Sequence, residues 1–144
     1  MTLLTPELCA ALRANAIAHR AAQEEGRREP DPLPILKLFN PMGAATWLAT
    51  ELDEDGDTLF GLADLGFGCP ELGSFSLSEI ASVRLPGGLS IERDLYFTGR
   101  FPLSAYADAA RIAGRITEAE ALLATAARAR ELARRSEIPP TPDG

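Results

Sequence analysis

The sequence predicts an α+β fold: a mainly antiparallel sheet of four to five strands, with helices from both ends of the chain on one face. Three observations carry that prediction. Residues 45–52 and 58–65 alternate from one face to the other around the turn DEDGD, the pattern of an antiparallel hairpin. Both ends of the chain carry helix-start chemistry followed by apolar residues at helical spacing. At 144 residues, 46% hydrophobic and 24% charged, the chain is long and apolar enough to bury one core without staples.

The first helix opens at Thr5-Pro6, an N-cap followed by proline at the first helical position, where its missing N–H costs nothing. Leu8, Leu12 and Ala16 give it an apolar stripe as far as about Gln23, and EEGRREPDP then reads as a polar linker. The run LPILKLF at 33–39 has the length and flanking prolines of a strand, and NPMGA joins it to the hairpin. In the hairpin Trp47, Ala49 and Glu51 share one face of the first strand, with Thr46, Leu48, Thr50 and Leu52 on the other. Phe60, Leu62 and Asp64 lie opposite Leu59, Gly61, Ala63 and Leu65 in the second strand, and Asp55-Gly56 supplies the positive φ of a tight turn.

Gly66, Gly68, Pro70 and Gly73 then punctuate a bent segment whose spacing is neither GxxxxGK[ST] nor GxGxxG, so a structural turn is expected there and not a phosphate cradle. Ser76 and Glu79 have capping-box spacing, Phe75 and Ile80 the positions of a hydrophobic staple, and Pro86-Gly87-Gly88 stops this short helix. The run at 33–39 and the hairpin make a three-strand meander, and LSIERDLYF at 89–97 alternates as a fourth strand. Phe101-Pro102-Leu103 leads into a helix through Ala113, closed by Gly114. Thr117 and Glu120 form a second capping box. The last helix carries acid at its front and Arg128, Arg130, Arg134 and Arg135 at its back, as the helix dipole favours, but its apolar face is mostly alanine and buries little. The expected organisation is one α+β domain over 1–116, an appended helix over 117–136 and a disordered tail over 137–144.

Charge narrows the function classes. The chain has 14 basic and 21 acidic residues, a net charge of −7. Positions 38–83 hold eight carboxylates and no Lys or Arg. The electrostatic part of nucleic-acid binding comes from Lys and Arg neutralising phosphates, so the acidic hairpin is not expected to bind nucleic acid directly. Cys9 and Cys69 are too few and too far apart for a disulfide or metal framework. With no leader-like start and no apolar run of membrane-spanning length, the expectation is a cytoplasmic protein with no membrane partner.

Candidate chemistry is sparse. Asp53, Asp55, Asp57 and Asp64 fall at positions 1, 3, 5 and 12 of a calcium loop, but position 6 is Thr58 where glycine is needed and position 12 lacks the reaching Glu. A solubilising hairpin tip is the better reading. Asp64 interrupts the apolar face carrying Phe60 and Leu62, and a buried carboxylate needs partners. Arg93, or loop amides beyond Gly66, would make it structural; Glu71 beside it would make a metal ligand or acid–base pair. Asp64, Glu71 and Arg93 are therefore the candidate cluster. His19, the single histidine, has no visible activating partner and reads as a surface residue. No catalytic residue, metal site or cofactor is assigned.

LLTPEL at 3–8, ILKLF at 35–39, ATWLATELD at 45–53, FGLADLGFGCPELG at 60–73 and the run IERDLYF…PLSAYADAAR at 91–111 occur in this order. Together they resemble bacterial domain-of-unknown-function family 2958, short proteins found largely on plasmids, conjugative elements and related mobile DNA. The resemblance spans residues 3 to 116 and leaves the final helix outside. It implies an accessory role in plasmid maintenance, transfer or host-defence evasion, and supplies no activity, ligand or catalytic residue. The first functional expectation is a non-enzymatic protein that binds a protein partner. The alternatives are a small metal-dependent enzyme using Asp64 and Glu71, and an acidic decoy of a DNA-binding host protein.

Overall fold

Four consecutive strands run back and forth as a meander, and a fifth, very short one joins the far edge. The computed structural model describes residues 3–136; the expected tail at 137–144 lies outside them. The strands are β1 (Leu36–Phe39), β2 (Thr46–Leu52), β3 (Thr58–Asp64), β4 (Glu71–Ser76) and β5 (Glu92–Arg93). They pair in the order β4-β3-β2-β1-β5, and every pairing is antiparallel. The helices are α1 (Pro6–Glu24), α2 (Leu77–Ala81), α3 (Leu103–Ala113) and α4 (Glu120–Ser136). The α+β class and the antiparallel five-stranded sheet are as the sequence predicts.

Two strand assignments change. The glycine-punctuated stretch is a turn only as far as Pro70, and ELGSFS then forms β4, held by six consecutive pairings with β3. Its exposed, weakly alternating residues give no strand signal of their own; the ladder to β3 supplies it. The expected strand at 89–97 shrinks to Glu92–Arg93. Asp94 ends it, because its side chain accepts the Tyr96 N–H at 2.9 Å and turns the backbone out of the sheet.

The sheet is buried on both faces, which places the helices differently from the expected single face. Leu12 of α1 joins Leu36, Leu38, Trp47, Ala49, Leu52 and Leu59 in one core. Leu48 and Leu62 form the other with Leu103, Tyr106 and Ala110 of α3 and Leu123 of α4. Trp47 and Leu48 are successive residues of one strand and so point to opposite faces. Burying each fully apolar leucine here is worth about 1.5–3 kcal/mol, and both faces are needed to cover β2.

A bulge explains the second departure. The β2–β3 register shifts between Ala49 and Glu51, leaving Thr50 without a Cα partner. The extra residue reverses the alternation, so Leu52 joins the core of Trp47 and Ala49, not the face of Leu48. Beyond Ala49, the last β2 residue paired with β1, carbonyls of β2 are taken by α1. Arg13 Nη1 donates to Leu52 O and Asn15 Nδ2 to Thr50 O, each at 2.9 Å.

Local chemistry fixes the ends. The Thr5 hydroxyl accepts the Leu8 N–H at the start of α1, and Ser76 Oγ accepts the Glu79 N–H at the start of α2. Gly114 closes α3 with φ 76°. Thr117 departs from the expected capping box: its hydroxyl accepts the N–H of Ala119, two residues on. In α4 only Leu123 and Ala126 are buried, but Leu123 reaches the second core, so this helix is keyed into the domain.

Gly61 marks the tightest approach. A Cβ at this position would stand 1.8 Å from the carbonyl oxygen of Leu48. Replacing Gly61 with Ala must push β2 and β3 apart, and a loss of about 1–3 kcal/mol is expected from such overpacking. Urea unfolding of Gly61→Ala checks this, and an unchanged midpoint would contradict it.

Candidate functional site

The end of the sheet where β1 turns into β2 and β3 leaves for β4 is organised by Asp64. Its carboxylate is 3% exposed. One oxygen accepts the Gly66 N–H at 2.9 Å and the other accepts the Ile116 N–H at 2.9 Å. A single buried carboxylate thus ties the β3–β4 loop to the connection between α3 and α4. These charge-assisted bonds supply the partners that burial demands.

The loop that Asp64 anchors is narrow and folded by glycine. Gly66 has φ 91° and Gly68 has φ 84°, a left-handed conformation at both sides of Phe67. Gly66 also passes close to the β1–β2 turn, where an added Cβ would stand 3.0 Å from Ala44 Cβ. Phe67 is 83% exposed, Leu65 57% and Met42, on the neighbouring turn, 55%. Large apolar side chains therefore project from two adjoining loops, one of them pinned from below.

The predicted cluster does not assemble. Glu71 stands exposed on β4 opposite Ala63, so it points to the other face of the sheet from Asp64. Arg93 pairs with Leu38 at the far edge, and its Nη1 donates to Leu3 O at 2.8 Å. Asp64 takes neither Arg93 nor the amides beyond Gly66: its partners are the N–H of Gly66 itself and that of Ile116, which the sequence did not point to. Among the described residues there is no group of three His, Cys, Asp or Glu side chains placed to hold a metal ion.

The acidic hairpin has structural employment too. Asp55 Oδ1 accepts the N–H groups of Asp57 and Thr58 at 2.8 Å, and its Oδ2 accepts the Thr58 hydroxyl. Asp57 reaches across to α2, accepting the Ser76 hydroxyl at 2.7 Å and the Ser78 N–H at 2.8 Å. Hydrogen bonds from the Thr58 and Ser76 hydroxyls, respectively, lead the causes that hold Asp55 and Asp57 below the usual carboxylate range. The calcium spacing is thus a pair of turn and helix caps.

His19 is the residue that sequence reasoning missed. Its Nδ1 lies 2.9 Å from Glu51 Oε2, and its Nε2 lies 3.3 Å from Glu29 Oε1. The second contact is a charge contact without hydrogen-bond alignment, on a nitrogen sealed from solvent. Burial disfavours the charged ring, but the hydrogen bond and charge of Glu51, with the charge of Glu29, outweigh it and hold the imidazole above its ordinary 6.5. Glu29 is in turn lowered, first by a hydrogen bond from Gln23 and then by His19. The register shift sets Glu51 opposite Phe60, and α1, which bonds the Thr50 and Leu52 carbonyls along the edge of β2, brings His19 to it. His19 and Glu51 border a cleft of about 230 Å³ with Phe60 and Ser74. A cleft of about 850 Å³ lies between residues 28–31 and α4, where Asp108 pairs with both Arg111 and Arg130.

Among the described residues no helix is long and apolar enough to cross a membrane. A family model described as "Protein of unknown function (DUF2958)" matches residues 3–117, which leaves α4 beyond the match. No curated protein and no solved structure matches the chain.

Two outcomes are expected. Asp64→Asn keeps the shape of the side chain but sets an amide N–H₂ against one of the two donors, at a cost of about 1.5–3 kcal/mol. Thermal melts with and without Mg²⁺, Mn²⁺ or Ca²⁺ check it; a metal-dependent rise in wild type that Asp64→Asn removes would contradict the structural role. The His19 contribution has the opposite sign to that of the aspartates. A raised folded pKa adds stability that is full below about 6.5, the value in the unfolded chain, and is lost as pH rises through the folded value. The urea midpoint should therefore fall as pH is raised across that window, and His19→Gln should flatten the fall.

Proposed function

The chain belongs to the DUF2958 family, and from that premise we propose that it is a non-enzymatic protein-binding module. The paired loops at the Asp64 end of the sheet form its contact surface. In cellular terms it serves as an accessory of a plasmid or other mobile element, in maintenance, transfer or host-defence evasion, as the family resemblance implies. One observation carries the reading: Phe67 is 83% exposed on a loop that a buried carboxylate holds in place. An aromatic ring in water gains nothing for the fold, whereas a rigid apolar anchor at low entropic cost is what interface centres use.

Leu65 and Met42 extend the surface beside Phe67. Asp64 enters as a positioning residue, since both of its oxygens are taken by backbone amides. That occupancy favours binding over the metal-dependent alternative, which needs Asp64 and Glu71 on one side of the sheet. The absence of Lys and Arg from positions 38–83 favours a protein partner over nucleic acid.

The test is affinity capture from a host lysate with wild type and Phe67→Ser side by side. Phe67→Ser should lose the captured partner while its melting temperature stays within experimental error of wild type, because the ring is solvent-exposed. Undiminished capture by Phe67→Ser would overturn the assignment of this surface.

A further inference from the structure

We infer that the outer edge of β4 receives an extended, basic segment of the partner polypeptide as a sixth strand. This rests on the protein-binding reading above and names the chemistry of the partner. β4 ends the sheet order, and β3 is its one ladder partner among the described strands. Its six pairings run in unbroken register, without a bulge. Edges are ordinarily blunted by charged side chains, lysine above all, or by internal proline, bulges or extreme shortness, and of these β4 carries one charge, Glu71 at its start.

The direction of its free groups follows from the hairpin. Asp53 N–H donates to Thr58 O, so Thr58 faces β2. Alternation then turns Leu59, Gly61 and Ala63 toward β4, opposite Phe75, Gly73 and Glu71. Leu72 and Ser74 are left with their N–H and C=O groups aimed away from the sheet, and Ser76 with its N–H, its carbonyl being spent on the first turn of α2. A Cβ at Gly73 would meet nothing within 4 Å, so backbone can approach there. Phe67 and Leu65 lie immediately upstream of the strand, which makes loop and edge one continuous surface.

Charge selects the occupant. Glu71 is on the strand itself, Asp57 is bonded to Ser76 at its end, and positions 38–83 contain no Lys or Arg. A second copy paired antiparallel would bring Glu71 of one chain toward Asp57 of the other, and a parallel copy would set Glu71 against Glu71. Like charges across a strand pair are destabilising, so a Lys- or Arg-bearing strand is the complementary partner, bound by β-augmentation.

The experiment uses the full ¹⁵N-labelled chain. It is titrated with a peptide alternating Lys with Val and Thr, and separately with the same peptide carrying Glu for Lys. Amide hydrogen exchange is read at Leu72, Ser74 and Ser76. The basic peptide should slow exchange at these three amides by about tenfold or more, and the acidic one should not. Ser74→Pro removes one outward donor without breaking a bond to β3 and should abolish the response. Leu72→Lys, at an exposed position where the long side chain is tolerated, should weaken it by repulsion even if the proline variant folds poorly. Unchanged exchange with the basic peptide, or equal protection by the acidic one, overturns the inference. So does protection in the free protein that rises with its concentration, which would make a second copy the occupant. Loss of the lysate partner in Phe67→Ser but not in Leu72→Lys would overturn strand addition alone and leave the loop surface standing.

Discussion

Strand β2 has to be covered twice. Trp47 and Ala49 face one core, Leu48 faces the other, and Thr50 is fully buried between them. A strand apolar on both sides cannot sit in a sheet with one wet face, so the chain must supply a layer above and a layer below. α1 and the first residues provide one, α3 and α4 the other. The requirement explains why the last helix, though largely alanine, places Leu123 in the second core. Alanine allows α4 to lie close on α3, and one leucine then reaches where several bulkier residues would not fit.

Much of the architecture was legible because its signals are local. Thr5, Ser76 and Gly114 cap helices where their side chains or their lack of one dictate, and the hairpin follows from alternation around Asp55-Gly56. Local chemistry accounts for the shortened fifth strand, where Asp94 accepts the Tyr96 N–H, but the larger losses depend on contacts between separate elements. β4 is a strand because β3 lies beside it, not because ELGSFS alternates. The bulge at Thr50 is invisible in a period-two pattern, and it moves Leu52 to the core of Trp47 and sets Glu51 opposite Phe60. His19 was read as a lone surface residue because its two carboxylates stand 10 and 32 positions away in sequence.

The carboxylates teach a related lesson. Their density along positions 38–83 suggests a ligand, but the structure employs Asp55 and Asp57 as caps of a turn and a helix, and Asp64 as a tie between two loops. Backbone N–H groups at loop and helix starts need acceptors, and an aspartate reaches them over a short, stiff side chain. An acidic run is therefore partly an inventory of turns. What remains exposed after those bonds are counted, Glu71 among it, is the charge a partner meets.

The two margins of the sheet are unequal, and this has a consequence for self-association. Filament growth needs each subunit to offer two strand-length margins, so that one molecule's exit is the next one's entrance. Here β4 is long and regular, but β5 stops after two residues where Asp94 turns the chain away, and α1 takes the β2 carbonyls that lie beyond β1. Any stacking through β4 thus ends at a pair. A chain with one open side can be docked upon while remaining unable to polymerise into amyloid-like ribbons, which makes an unguarded edge tolerable at high protein concentration.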